Sequence, residues 1–232
     1  GTVVVTDGVI SHVLKEGESL SVNLSDYEVI CAEGKALLPG FVDPHTHFVF
    51  GGYREEEFAW RMRGDSYMDI MNRGGGIVNT TRATRAASED ELFIAGKQRL
   101  DAMMQLGITT VEGKSGYGLD RETELKQLRV MRRLNDEHPL DVVSTFMGAH
   151  ATPEEWKGRE DEFIDFNINE MFPLVAQEKL AECADIFCEK NVFTVEQSRR
   201  YLTAAREFGF KLKIHADEIV PFGGAELAAE LG

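Results

Sequence analysis

This sequence predicts an α/β fold: a partial (β/α)8, TIM-like barrel with about five strands present, behind a small N-terminal β-domain. Three observations predict it. From Phe41 onward strand-like runs alternate with helical segments, the helices carry start and stop signals, and chemically capable polar residues end several different strands. The last observation favours a barrel over an open doubly wound sheet, because barrels build their sites from the carboxyl ends of many strands. No Gly-x-Gly-x-x-Gly or phosphate-loop motif follows a strand-like run. Gly74-Gly75-Gly76 lacks a following Lys-Ser/Thr and reads as a structural turn or a site loop.

Residues 1–39 read as the small β-domain. Val3 to Thr6 and Val9 to Leu14 flank Asp7-Gly8, a strong hairpin signal, and Glu28 to Cys31 reads as a further short β-run. Because Gly1-Thr2-Val3-Val4-Val5 is already strand-like, the chain is expected to begin inside a domain. Residues 40–232 read as the first five βα units of the barrel. Their strands are Phe41 to His47, Ile108 to Lys114, Asp141 to Ala149, Ala184 to Glu189 and Lys211 to His215. Ser88-Glu89-Asp90-Glu91 is a capping box opening a helix that turns Leu92, Ala95, Leu100 and Met103 to the core, and Gly107 closes it. Thr194-Val195-Glu196-Gln197 is a second capping box, with Gly209 ending that helix. Five strands do not close an eight-stranded barrel, so a C-terminal truncation is expected, with unpaired sheet edges and either poor solubility of the isolated chain or pairing with something outside this sequence.

The 232 residues are 43% hydrophobic, enough for a large core, and the net charge of -15 disfavours nucleic acid and anionic membranes as partners. No apolar run of membrane-spanning length and no signal-peptide pattern occurs. Cys31, Cys183 and Cys188 are odd in number and form no Cys-x-x-Cys pair, which points to a reduced, cytoplasmic setting.

The chemistry concentrates in Asp43-Pro44-His45-Thr46-His47, which follows the apolar run Leu37 to Val42. Residues two apart on a strand share a face, so His45 and His47 can approach one cation while Thr46 points away. Neutral imidazoles suit zinc or iron, and His215 ends a later strand. A chance His-x-His on a surface loop is the plainer alternative; the buried-strand context argues against it.

The segment Leu38 to His47 resembles the first barrel strand of the amidohydrolase superfamily. Within it, Gly51-Gly52-Tyr53-Arg54-Glu55-Glu56-Glu57-Phe58, Gly74-Gly75-Gly76-Ile77, Glu112 to Leu119, Gly148 to Pro153 and Ile214 to Glu218 are similar to the imidazolonepropionase family over nearly the whole chain. The resemblance implies a metal-dependent hydrolase that opens the cyclic amide of 4-imidazolone-5-propanoate to N-formimidoyl-L-glutamate in histidine degradation. It implies one divalent or trivalent metal ion, zinc or iron, held by His45, His47 and His215. An aspartate from an eighth strand and a histidine from a sixth, both implied by the resemblance, lie outside the five strands read here. Glu218 is implied as the proton-transfer group and a substrate contact, Arg54 as the partner of the propionate, and Tyr117 and His150 as further substrate contacts, His150 against the ring and its carbonyl. Taken alone, Glu218 reads as a solvated loop glutamate, Arg54 as a surface partner of Glu55 to Glu57, Tyr117 as a structural cap and His150 as a satisfied core histidine. Lys190 would face away from a site that Glu189 faces, so a single metal is expected, with Glu189 behind the ligands. A homodimer is the implied assembly. Two alternatives stay open: another amidohydrolase such as a nucleobase deaminase, and a non-catalytic fragment that folds only with further strands.

Overall fold

In the computed structural model the described residues are all except 20–22, 66–68, 71, 72 and 74. They form two compact units, Gly1–Pro39 and Gly40–Gly232.

In the first unit, β1 (Thr2–Thr6) pairs antiparallel with β2 (Val9–Leu14), bringing Thr6 opposite Val9. The two intervening residues are both left-handed, Asp7 at φ 53° and Gly8 at φ 76°, the backbone that matches the right-handed twist of a tight hairpin. The run Glu28 to Cys31 is not a strand. β-forming residues make a strand only against a ladder partner, and Val29 and Ile30 are 71% and 80% exposed here.

The second unit is a parallel sheet flanked by helices. Its strands are β3 (Phe41–Thr46), β4 (Ile108–Lys114), β5 (Asp141–Ala149), β6 (Cys183–Cys188), β7 (Lys211–Leu212) and β8 (His215–Ala216). The order is β3-β4-β5-β6-β7, all neighbours parallel, with β8 also on β6. The expected fifth strand is thus broken. Its two pieces keep one register along β6, Leu212 opposite Ala184 and His215 opposite Phe187, with the ladder interrupted at Lys213 and Ile214. The first strand is also not the buried one expected: Phe41 and Val42 are 55% and 63% exposed, because β3 is an edge with β4 as its ladder partner.

Between the strands run α1 (Glu55–Met62), α2 (Ile77–Ala86), α3 (Glu89–Gln105), α4 (Arg121–Glu137), α5 (Glu160–Phe166), α6 (Phe172–Gln177), α7 (Val195–Glu207) and α8 (Gly224–Leu231). Both expected capping boxes form, at Ser88 with Glu91 and at Thr194 with Gln197. Gly74 lies outside the described residues; Gly76, at φ 72°, precedes α2. A π turn at Asn167–Met171 joins α5 to α6, just ahead of Pro173, which has no N–H to continue an α-helical ladder.

Each long helix lays an apolar stripe on the sheet. On α3 the buried positions Leu92, Gly96 and Leu100 fall four apart, and on α4 Leu128, Met131 and Leu134 are fully buried. The two helices touch where Gly96 leaves room: a Cβ there would meet Leu134 Cδ1 at 2.8 Å. Truncating Leu134→Ala should therefore cost about 3 kcal/mol through lost burial and a cavity at that contact. Urea denaturation measures this; a loss below about 1 kcal/mol would show the α3–α4 contact to be peripheral.

Candidate metal centre at the strand ends

Three imidazoles meet at the carboxyl ends of β3 and β8. His45 is the next-to-last residue of β3, His47 follows its end, and Thr46 between them turns its hydroxyl to Glu112 O on β4, 2.7 Å away. The alternation of an extended chain thus puts both imidazoles on one side. His215 comes from β8, its ring centroid 4.4 Å from that of His45 and 5.6 Å from that of His47. One ligand atom from each of the three lies within 4.8 Å of the others.

Two imidazoles around this point have their proton placed by a carbonyl. His47 Nδ1 is 3.0 Å from Ser115 O, and His150 Nδ1 is 2.9 Å from Gly116 O. A carbonyl oxygen only accepts, so Nδ1 carries the proton in each ring and Nε2 is left with its lone pair. For His47 that lone pair is the donor a metal needs. His150, which directly follows β5 and stacks on His47 with centroids 4.7 Å apart, offers Nε2 as an acceptor, suited to a ligand N–H rather than to a carbonyl.

Burial keeps these rings uncharged. It pushes His47 well below the usual histidine range, with His150 and His215 nearby adding to the effect, and takes His150 down to about 4. His45 is lowered by burial, then by His215 and Lys114. Neutral imidazole is the metal-binding form.

Beneath the imidazoles lies a group of charges the sequence did not announce. Lys114, 2% exposed, places Nζ 2.7 Å from Glu112 Oε1 and 2.8 Å from Asp185 Oδ2. Asp185 Oδ2 is also 3.1 Å from His215 Nδ1, off the line of a well-formed hydrogen bond, so that Nδ1 and Asp185 Oδ1 are both buried without a hydrogen-bond partner. Burial alone would raise Asp185; His215 and Lys114 outweigh it and hold the carboxyl at about 2. The one hint in the sequence was an aspartate inside the apolar run Cys183 to Cys188.

The remaining candidates divide. Tyr117 joins the cluster, its ring 5.3 Å from His47 and 5.4 Å from His150, and burial raises its phenol while the Arg54 charge opposes the rise. Arg54 precedes α1, 3.8 Å from Glu57, and lines a cavity of about 330 Å3 with Tyr53, Trp60, Asn79 and Arg82. Glu218 is exposed on the segment after β8 and is not among the residues whose ligand atoms converge. Glu189 is fully buried and accepts from Ile219 N at 2.8 Å, so it braces the segment that carries Glu218, while Lys190 is exposed.

No family model matches the chain. Curated relatives do: imidazolonepropionase of Clostridium tetani is 62% identical over 232 residues, and that of Parabacteroides distasonis 61% over 232. From end to end the sequence is imidazolonepropionase-like. The matches take in all of this chain and 55% and 56% of those relatives, so the chain spans about half the length of the imidazolonepropionases it resembles. Among solved structures, 5-methylcytosine deaminase from Klebsiella pneumoniae bound to phosphonocytosine superposes with a TM-score of 0.70 over 98% of this chain and 51% of its own, at 16% identity. At that identity the likeness is one of fold alone, a parallel sheet flanked by helices that spans about half of that deaminase. Three nitrogen donors brought together at the strand ends have the chemistry to hold a metal ion.

Replacing Lys114→Met would leave Asp185 buried without its lysine and Glu112 with only the more exposed Lys213, 3.4 Å away. The expected loss is about 3–5 kcal/mol of stability, read from urea denaturation. A loss under about 1 kcal/mol would mean that water reaches both carboxylates.

Proposed function

We propose that this chain carries the metal-binding half of an imidazolonepropionase site, which hydrolyses the cyclic amide of 4-imidazolone-5-propanoate to N-formimidoyl-L-glutamate. The observation that carries the reading is the convergence of His45, His47 and His215 in a sequence 62% identical to a curated imidazolonepropionase. In it, residues 1–39 are a small β-domain and residues 40–232 the first five βα units of the barrel. The setting is the cytoplasm and the assembly a homodimer. In support of the setting, no helix among the described residues is long and apolar enough to cross a membrane, and all three cysteines are free.

His45, His47 and His215 would hold one zinc or iron ion, which supplies Lewis acidity and a lowered pKa for water. This half of the site contributes groups of its own. Arg54 pairs with the propionate carboxylate, its fork-shaped guanidinium giving two parallel hydrogen bonds. Tyr117 and His150 contact the ring from one side, His150 accepting a ring N–H at Nε2. Water adds to the ring carbonyl carbon and the carbon–nitrogen bond opens; Glu218 takes the proton from the water and returns it to the departing nitrogen.

The test is loss of imidazolone propionate in the presence of this chain, alone and joined to the part of the Clostridium tetani relative that the match leaves out, each beside His45→Ala. Turnover that vanishes with His45→Ala supports the reading; none in either form removes it. Glu218→Gln should lower kcat about 10²–10³-fold with KM within about threefold. Near-normal kcat would take Glu218 out of the chemistry. Arg54→Ala should chiefly raise KM, by about tenfold or more, and an unchanged KM would refute the carboxylate contact.

A further inference from the structure

The loop after β4 is held by side chains of α4 that touch neither the imidazoles nor the proposed substrate. Glu124, 1% exposed, receives Gly116 N at 3.1 Å, Gly118 N at 2.8 Å and Leu119 N at 2.9 Å. The Ser115 hydroxyl also bonds to it. Three residues on, and so on the same helical face, the fully buried Gln127 receives Tyr117 N at 3.3 Å and donates from Nε2 to Val49 O at 2.7 Å. One helix face thus ties the β4 loop to the segment that leaves His47.

The same loop aims two rings. Ser115 O and Gly116 O are the acceptors that put the proton on Nδ1 of His47 and of His150. The backbone there is unusual: Gly116 sits at φ 102°, where a Cβ would come within 2.9 Å of His150 Nδ1, and Leu119 is left-handed at φ 57°. A branched side chain in that region costs free energy and persists where its surroundings over-determine it. The Glu124 carboxylate, gathering three N–H groups into one anion-binding concavity, is what over-determines it.

We infer that Glu124 and Gln127 are positioning residues, which fix the Ser115–Leu119 loop and through its carbonyls set the tautomer and direction of His47 and His150. In its metal-binding consequence this rests on the reading of His47 as a ligand; the tautomers can be read without metal. Glu124→Gln keeps the size but turns an N–H donor toward backbone N–H groups.

The first measurement is the tautomeric state of the histidines in the metal-free chain, from long-range 1H–15N correlation spectra assigned through His47→Gln and His150→Gln. In the parent chain both rings should be Nδ1–H. In Glu124→Gln they should become tautomer mixtures, with Co2+ bound about tenfold more weakly in a chelator competition. Leu134→Ala, destabilising on the same helix but remote from the loop, should change neither. Unchanged tautomers in a folded Glu124→Gln would overturn the inference. Should that variant not fold, amide exchange of the parent chain decides: Gly116, Gly118 and Leu119 should exchange about a hundredfold or more slower than free peptide, and exchange within about tenfold of the free rate would overturn it. Absence of Co2+ binding by the parent chain would instead remove the metal reading, with the tautomers still testing the loop.

Discussion

One buried ammonium underlies the strand ends. Lys114 lies between Glu112 on its own strand and Asp185 on β6, so it ties together strands that are not neighbours in the sheet order. A buried ion pair is a weak source of net stability, because desolvation cancels most of the attraction. Its value here is electrostatic. With His215 it holds the Asp185 carboxyl below the usual range, and its positive charge adds to burial and to His215 in lowering His45. Neutral imidazole is the form that shares a cation, and the ammonium below favours that form for His45.

Above that layer, carboxylates again do the organising, now as acceptors of backbone N–H groups. Glu124 gathers the loop after β4 and Glu189 accepts from the segment after β8. Asp217, left-handed at φ 54°, accepts from Phe222, Gly223 and Ala225 at the start of α8. Loops at the site end of a barrel lack a ladder to satisfy their amides, and a charged acceptor satisfies several at once. The Asp217 and Glu189 carboxyls are accordingly held below the usual range by these N–H donors, whereas burial outweighs the donors at Glu124 and raises it.

What could be read from the chain follows the range of each interaction. β4 and β5 were legible to the residue because their apolar runs are bounded by Gly107 and by the end of α4, and the capping boxes are four-residue patterns. Glu28 to Cys31 misled, since an apolar run carries no record of whether a partner strand exists. The break at Lys213 and Ile214 likewise reflects the ladder with β6 and not local propensity. The histidines were visible through spacing; Asp185 with Lys114 was not, as nothing local couples residues 71 apart. Glu124 looked like any acid in the first turn of a helix, where the dipole favours one, and only the fold shows that it is buried.

The three imidazoles are unequally prepared for a metal. His47 is held by a carbonyl and a stacked ring, and His215 is backed by Asp185. His45 lies exposed on the edge strand, where Asp43 accepts the His45 backbone N–H. Ordering a partly free side chain such as His45, whose ring rests edge-on against His215, costs less than about 2 kcal/mol, and that cost falls on whichever event first needs the ring in place. Folding therefore fixes two of these rings more firmly than the third, and a bound ion would complete the ordering of His45. Binding free energy is then spent at the end of β3, so a cation there would stiffen the strand that the sheet itself supports on one side.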